Sequence, residues 1–236
     1  MAKIIFSGAG ITEIRGKAGG SVFSRNASGA FWRNRVNPVN PQTSRQLAVR
    51  SGFTSISTQW RDLTNAERQA WSDFAPTMPF QDALGQSKIY TGNQLFMKLN
   101  QSLTQASPAT PLLTSPPSPV TSPVLAVSLL EFGVDGTDLT AVFTISPATV
   151  PAGFVMRVFA TPGLSAGIMR PQASLFRLVS TSPTIATGVA NIAPDYEALY
   201  GLPSVGSKVY VRVVLVSSAS GQQFEVFKGA TVVVAV

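Results

Sequence analysis

Apolar residues recur every three to four positions between about residues 44 and 63, which is the spacing of one face of an α-helix. The first such run starts at Thr43 or Ser44. Its apolar stripe consists of Leu47, Phe53, Ile56, Trp60 and Leu63. The sequence therefore predicts a first helix whose stripe packs into a core.

Two shorter helices are predicted after it. Thr64 and Glu67 have the spacing of a capping box, in which each side chain accepts a hydrogen bond from the backbone amide of the other residue. Pro76 ends this helix, and the third helix runs from about Asn93 to Gln105. The inner faces consist of Ala70, Trp71, Phe74, Leu95, Phe96, Leu99 and Leu103. Residues 44–105 are thus predicted to form a helical bundle, so small that its stability is marginal unless the arm or another chain covers it.

From residue 124 onward, short apolar stretches alternate with turn residues, a pattern typical of β-strands. The candidate strands are 124–132, 138–146, 153–160, 175–179, 188–192, 208–217 and 222–236, the last broken near Gly229. Strands of this length and number predict an immunoglobulin-like or fibronectin-like β-sandwich over residues 124–236. Tyr210 is the candidate for the corner tyrosine of such a fold.

Residues 1–43 form an extended arm punctuated by glycine. Residues 21–24 and 30–33 have the composition of two short strands, and the turn residues 26–29 lie between them. This pattern predicts a β-hairpin. Pro38 and Pro41 keep the following chain extended until the first helix begins.

A proline-rich segment, residues 106–123, separates the helices from the strands. Its prolines stand at positions 108, 111, 116, 117, 119 and 123. Such a segment extends by roughly 3 Å per residue and acts as a semi-rigid spacer, which could hold the two halves several nanometres apart. The predicted class is α+β, mainly β: a basic arm (1–43), a helical domain (44–105), a proline-rich linker (106–123) and a β-sandwich (124–236).

All of the net charge lies in the first fifty residues. They contain eight basic residues and the single acid Glu13, whereas the other positions contain ten bases and ten acids, so the formal charge of +7 belongs to the arm. Because such a segment repels itself and buries little apolar surface, we expect it to be disordered alone and ordered against an acidic partner. Aromatic residues among the arginines favour docking over mere solubility. The predicted partner-contact residues are Arg15, Lys17, Phe23, Arg25, Phe31, Trp32, Arg33, Arg35, Arg45 and Arg50.

The composition argues against an enzyme. The chain has no cysteine and no histidine, which removes the thiol nucleophile, the commonest general base and the commonest metal ligands. Its carboxylates are scattered, and Asp135-Gly136 is turn chemistry. No catalytic, cofactor-binding or metal-binding residue is predicted. The apolar stretches are too short for a signal peptide or a membrane span, so we expect a soluble protein made in the cytoplasm.

Four motifs point to a family. They are Gly-Gly-Ser-Val-Phe-Ser-Arg-Asn at 19–26, Asn-Pro-Gln-Thr at 40–43, Trp-Arg-Asp-Leu-Thr at 60–64 and Gly-Asn-Gln-Leu-Phe at 92–96. Residues 14–104, which contain them, resemble a family of structural proteins of tailed bacteriophages and prophages. The β-sandwich is similar to the immunoglobulin-like modules that phages append to capsid and tail proteins. The resemblance implies a place in the virion and no catalytic residue.

The expected function is therefore that of a non-enzymatic virion protein, assembled in the host cytoplasm: a capsid-bound decoration or head-fibre protein. Its expected partners are major capsid or tail proteins in a lattice or homo-oligomer, and a host-surface glycan or protein for the β-sandwich. One alternative is a tail or neck component. A second is a nucleic-acid-binding protein, because the arm could neutralise phosphates while Phe31 and Trp32 stack on bases. Against this second alternative, the arginines are not clustered on a groove-reading helix.

Overall fold

The structure, a computed structural model, describes residues 2–7, 10–26, 29–81 and 86–236. The chain divides into two compact units, Met1–Leu47 and Ala48–Val236. The described residues form four α-helices and several β-sheets with more strand than helix. This confirms the predicted α+β class.

Four antiparallel strands form the sheet of the first unit, here called the N-terminal sheet. They are β1 (Ala2–Ser7), β2 (Gly10–Ala18), β3 (Ser21–Asn26) and β4 (Gly29–Asn34), in the order β1-β2-β3-β4. The pairing of β3 with β4 confirms the predicted hairpin, and its turn residues 27 and 28 lie outside the described residues. The sequence predicted only extended chain for β1 and β2. Gly16 lies within β2 at a φ of 112°, a conformation that suits glycine.

The three predicted helices are confirmed: α1 (Ser44–Asp62), α2 (Asn65–Phe74) and α3 (Gly92–Ala106). The capping box at the start of α2 is present, with Thr64 N donating to Glu67 Oε2 at 2.8 Å. Because Thr64 also donates its hydroxyl to the same carboxylate, the pKa of Glu67 lies below its usual value. A second capping box, between Thr91 and Gln94, starts α3. Two short strands, β5 (Phe80–Gln81) and β6 (Ser87–Lys88), pair between α2 and α3.

The helices enclose a small aromatic core. Trp71 is fully buried and stands edge-on against Phe96, with 5.3 Å between ring centroids. From α1 this core takes only residues from Ile56 onward. The prediction that the whole α1 stripe is buried is therefore wrong for Leu47 and Phe53, which are 49% and 56% exposed. The nineteen-residue α1 is longer than the ten-residue α2, so its N-terminal half lacks an equivalent cover.

The proline-rich segment packs against the helices instead of holding the two halves apart. The Nε1 of Trp71 donates to the carbonyl of Thr114 at 2.9 Å, and the side chain of Asn100 bonds the backbone of Leu113. Leu112 and Leu113 pack on the helical core. The prediction that this segment holds the helices and the strands several nanometres apart is therefore wrong. Its apolar side chains pack on the helical core, and its backbone donates hydrogen bonds to, and accepts them from, side chains of the helices.

The rest of the chain is β-rich. Its strands are β7 (Ala126–Asp135), β8 (Asp138–Ser146), β9 (Phe154–Ala160), β10 (Arg177–Thr181), β11 (Thr184–Ala186), β12 (Val189–Asn191), β13 (Lys208–Ser217), β14 (Gln223–Val232) and β15 (Val234–Ala235). Each of the seven predicted segments contains a strand. The last segment is interrupted at Val233, not near Gly229. Strand β11 and the helix α4 (Ala193–Tyr200) were not predicted.

These strands form two sheets around one core. One has the order β11-β12-β8-β7-β15 and the other the order β10-β9-β13-β14. Phe132 and Phe143 come to the shared core from the first sheet, and Val158 and Val211 come from the second. The only parallel pair among the described strands joins β15 to β7. The core is thus built wholly from residues after the proline-rich segment.

Two tyrosine hydroxyls in the β-rich part donate hydrogen bonds to backbone carbonyls of its connecting loops. Tyr196 of α4 is fully buried, and its hydroxyl donates to the carbonyl of Thr161 at 3.1 Å. Burial raises the pKa of Tyr196. The hydroxyl of Tyr210 donates to the carbonyl of Ile168, 42 residues upstream. A corner tyrosine bonds the backbone only a few residues upstream, so the prediction for Tyr210 is wrong.

Helix α3 packs directly on the turn between β13 and β14. A Cβ added at Gly221 would lie 2.2 Å from the carbonyl oxygen of Leu99, so only glycine fits there. Nearby, Gln223 Nε2 donates to Ser102 Oγ at 2.7 Å. Ala106 is buried with Val214 and Val216 of β13. The predicted division into domains 44–105 and 124–236 stays a prediction, but these contacts join the two parts in one compact unit.

Candidate interaction surface of the N-terminal sheet

The N-terminal sheet has a paired backbone, and its side chains from residue 14 onward form no core among the described positions. Among the side chains at 14–26 and 29–47 none is buried. A sheet needs a covered apolar face or a packed helix for independent stability. The charge of the arm predicts a disordered chain, whereas in the structure its backbone forms a hydrogen-bonded sheet. At the described side chains of β2, β3 and β4, neither face is buried.

One face of this sheet is basic. Lys17 of β2 lies opposite Val22 of β3, which lies opposite Arg33 of β4, so the three residues form one row across three strands. Alternation along the strands puts Arg15 and Phe31 on the same face. All of these except Val22 are exposed. Arg15, Lys17, Phe31 and Arg33 are called the N-terminal basic face below.

The opposite face is aromatic. Phe23 and Trp32 lie directly opposite each other on β3 and β4, and alternation puts Arg25 on the same side. Gly16 is the neighbour of Phe23 on β2, and it leaves the ring of Phe23 without a side chain beside it there. Trp32 is 67% exposed, whereas Phe23 is half-buried. An exposed indole of this size is typical of residues that anchor protein interfaces.

The other predicted contact residues lie outside the strands. Arg35 follows the end of β4, and its backbone amide donates to the carbonyl of Gly20 at 2.7 Å. Arg45 and Arg50 lie on α1, and all three side chains are exposed. The ten predicted residues therefore do not form one patch. The structure sorts them onto two faces of a sheet, the end of that sheet and a helix.

Sequence reasoning missed a cavity of about 250 Å³ where α3 meets the β13–β14 hairpin. Lys98 lines it, and its ammonium lies 3.2 Å from the ring centroid of Phe80 and 5.0 Å from that of Tyr90. Burial lowers the pKa of Lys98, while the faces of the two rings favour the charged form. The one acid lining the cavity, Glu225, pairs with Arg212 at 3.6 Å. Because Phe80, Lys98 and Tyr90 lie far apart in the sequence, no local pattern indicates this cluster.

The part of the chain that the structure describes contains no group of three or more carboxylates, histidines or cysteines placed to hold a metal ion. Within the same ranges, no helix is long and apolar enough to cross a membrane. No protein-family model matches the chain, and no curated protein or solved structure is significantly similar to it. Apart from the motif resemblance of residues 14–104, any functional proposal therefore has to come from the surfaces described above.

Proposed function

We propose that this chain is a non-enzymatic structural protein of a bacteriophage virion, anchored by its N-terminal sheet to an acidic surface of a neighbouring virion protein. Within the virion the proposed role is that of a capsid-bound decoration or head-fibre protein. The observation that carries the proposal is the N-terminal basic face, on a sheet that has no buried side chain among the described positions 14–26 and 29–34. The resemblance of residues 14–104 to phage structural proteins supports the setting.

The two faces of the N-terminal sheet suit a buried protein contact. Arginine pairs with carboxylates in a bidentate geometry, so Arg15 and Arg33 favour an acidic protein surface. Phe23 and Trp32 lie on the opposite face, so a partner that encloses the sheet would bury them as well. Their burial would contribute apolar stabilisation and offset the cost of fixing the chain, about 1–2 kcal/mol per residue. The sheet is then stable in the assembly and weak outside it.

We infer further that residues 124–236 form an immunoglobulin-like sandwich. Taking β7 to β14 in chain order as strands A, B, C, C′, D, E, F and G, the sheet orders become D-E-B-A and C′-C-F-G. This is the arrangement of immunoglobulin-type sandwiches. In a decoration or head-fibre protein this part is displayed on the particle, where it contacts a host-surface glycan or protein.

Two other roles use the same residues. A tail or neck component would need the same acidic partner surface, and only the position on the particle distinguishes it. A nucleic-acid-binding protein would use the N-terminal basic face against phosphates. Only Phe31 shares that face, however, since Trp32 lies on the opposite side, so the expected combination of a basic groove with two stacking rings is not formed.

Matched charge reversals test the anchor. Lys17→Glu/Arg33→Glu changes two residues of one cross-strand row. The control Arg61→Glu/Lys88→Glu makes the same charge change at two exposed residues that are not predicted to contact a partner. We expect the first variant to lose most of its occupancy on purified particles, measured by quantitative mass spectrometry, and the second to retain it. Normal occupancy of the first variant would overturn the proposal. A loss of salt-dependent DNA affinity without particle association would instead favour the nucleic-acid alternative, and a cryo-EM map would separate head from tail.

A further inference from the structure

The charges of the β-rich part are sorted by sheet, although their sum is zero. Residues 124–236 contain six bases and six acids. All six bases lie on strands of the β10-β9-β13-β14 sheet or on the loop before β10: Arg157, Arg170, Arg177, Lys208, Arg212 and Lys228. Five of the acids lie on β7, β8 or α4: Glu131, Asp135, Asp138, Asp195 and Glu197. The composition alone therefore hides a strongly dipolar surface.

Three of these basic residues, Lys208, Arg212 and Lys228, lie on the outward side of the β10-β9-β13-β14 sheet. Val209, Val211 and Val213 face the core, so alternation directs Lys208 and Arg212 outward. Arg212 lies directly opposite Lys228 of β14. Like charges opposed across a strand pair destabilise a sheet. Glu225 offsets part of this repulsion through its pair with Arg212, at 3.6 Å.

The exposed cations of this side surround an aromatic ring. The ammonium of Lys228 lies 5.8 Å from the ring centroid of Phe176, and the guanidinium of Arg212 lies 6.0 Å from the same centroid. Lys228 is exposed, and Lys208 lies on the same outward side four residues before Arg212 on β13. Lys208, Arg212 and Lys228 are called the outer basic face.

The acidic charges have a matching arrangement at the other sheet. Asp135 and Asp138 lie directly opposite each other at the end of the β7–β8 hairpin, and both are exposed. This is a second like-charge pair across two strands, of the opposite sign. Glu131 lies four residues earlier on β7 and is also exposed. Glu131, Asp135 and Asp138 are called the acidic hairpin.

We propose that copies of this chain associate head to tail, with the acidic hairpin of one copy on the outer basic face of the next. One copy does not satisfy both surfaces itself, because the outer basic face points away from the sheet that carries the hairpin. Contact between two copies brings opposite charges together and relieves the repulsion at both places. A contact between two different patches is heterologous, so it extends to a ring or a filament. The inference does not depend on the proposed virion role.

Sedimentation velocity of the full-length protein provides the first test. At about 0.05 M salt we expect association that grows with protein concentration, and at about 1 M salt, where screening reaches about 3 Å, we expect monomers. A monomer at low salt and high protein concentration would overturn the proposal. So would association that is insensitive to salt.

Neutralised variants identify the surfaces. Asp135→Asn/Asp138→Asn and Lys208→Gln/Lys228→Gln should each weaken self-association by about tenfold, the effect of two ion pairs near the surface. Mixed together, these two variants should form dimers that do not grow, because each retains one intact surface. The control Lys17→Gln/Arg33→Gln removes equal charge from the N-terminal basic face and should associate as the wild type does. If this control alone lost association, or if the mixture gave no dimer, the proposed pairing would be wrong.

Discussion

Asn100 and Leu113 are paired as two neighbouring strands would be. The Oδ1 of Asn100 accepts a hydrogen bond from the Leu113 amide at 2.7 Å, and its Nδ2 donates to the Leu113 carbonyl at 3.3 Å. The same Nδ2 donates to the carbonyl of Phe96 at 3.1 Å. Asn100 is fully buried. Its side chain supplies hydrogen-bond partners for the backbone of a segment that belongs to no helix or sheet.

Asn100→Ala is expected to lower the free energy of unfolding by about 2–4 kcal/mol, because it leaves the amide and carbonyl of Leu113 without this partner. Chemical denaturation of the full-length protein measures the change. The control Gln105→Ala alters an exposed residue of the same helix and should leave the unfolding midpoint unchanged. A wild-type midpoint for Asn100→Ala would show that the proline-rich segment is not held by this pair.

Gly221→Ala is expected to destabilise the protein more than Gly136→Ala does. Both glycines have positive φ, 69° and 58°, so both changes carry a strain of about 1–2 kcal/mol. Only at Gly221 would the new Cβ meet backbone, the carbonyl of Leu99, whereas nothing lies within 4 Å of a Cβ at Gly136. The overlap adds about 1–3 kcal/mol. Equal thermal shifts for the two variants would mean that α3 and the β13–β14 turn separate at little cost.

The Glu67 carboxylate is expected to stabilise α2 in a pH-dependent way. Its pKa in the folded protein is lowered from 4.5 because Thr64 donates two hydrogen bonds to it. A lowered carboxyl pKa stabilises the fold above the unfolded value, and this contribution disappears as the pH falls through the folded value. Glu67→Gln keeps a hydrogen-bonding side chain without the charge. The difference in melting temperature between wild type and Glu67→Gln should therefore shrink as the solution is made more acidic, and a constant difference would contradict this reason.

Backbone amides of the N-terminal sheet are expected to exchange quickly in the free protein. The sheet has hydrogen-bonded strands but no buried side chain among the described positions from 14 to 47, so local opening costs little. Hydrogen exchange followed by mass spectrometry should show little protection before about residue 44 and strong protection in the β13 core. Strong protection of β3 and β4 in a monomer would contradict the view that a partner stabilises this sheet.

Residues 120–236, expressed alone, are expected to fold with one cooperative transition. The larger core of the β-rich part contains only residues of this stretch. The fragment should unfold at a lower temperature than the full-length protein, because Val214 and Val216 lose the cover of Ala106. An insoluble or molten product would instead show that the helices complete the fold.

Local signals predicted the local structure well. Thr64 and Glu67 predicted their capping box, and turn residues around 26–29 predicted the β3–β4 hairpin, because both depend on residues close in sequence. The box of Thr91 and Gln94 follows the same rule and was overlooked. Helix α4 was missed because it is short and has no side-chain cap. For the interaction surface, the sequence indicated the basic and aromatic residues but not their sorting, which depends on strand register.

Local sequence patterns did not predict the contacts between residues that are distant in the sequence. Nothing near Asn100 shows that its side chain bonds Leu113, and nothing near Gly221 shows that Leu99 lies against it. Likewise, a net charge of zero over residues 124–236 hides the separation of Lys228 from Asp135, which only the sheet order reveals. The predicted separation of the helices from the strands failed for this reason.

The packed proline-rich segment also has a mechanical meaning. Bonds at Leu113, Thr114 and Val120 tie it to Asn100, Trp71 and Gln222, so little slack remains between the helices and the strands. A pull on the β-rich part would therefore load these bonds and the α3 contact at Gly221 at once, instead of first lengthening a loose tether. Residues 48–236 would resist such a force as one stiff body, and they would unfold abruptly once these contacts break.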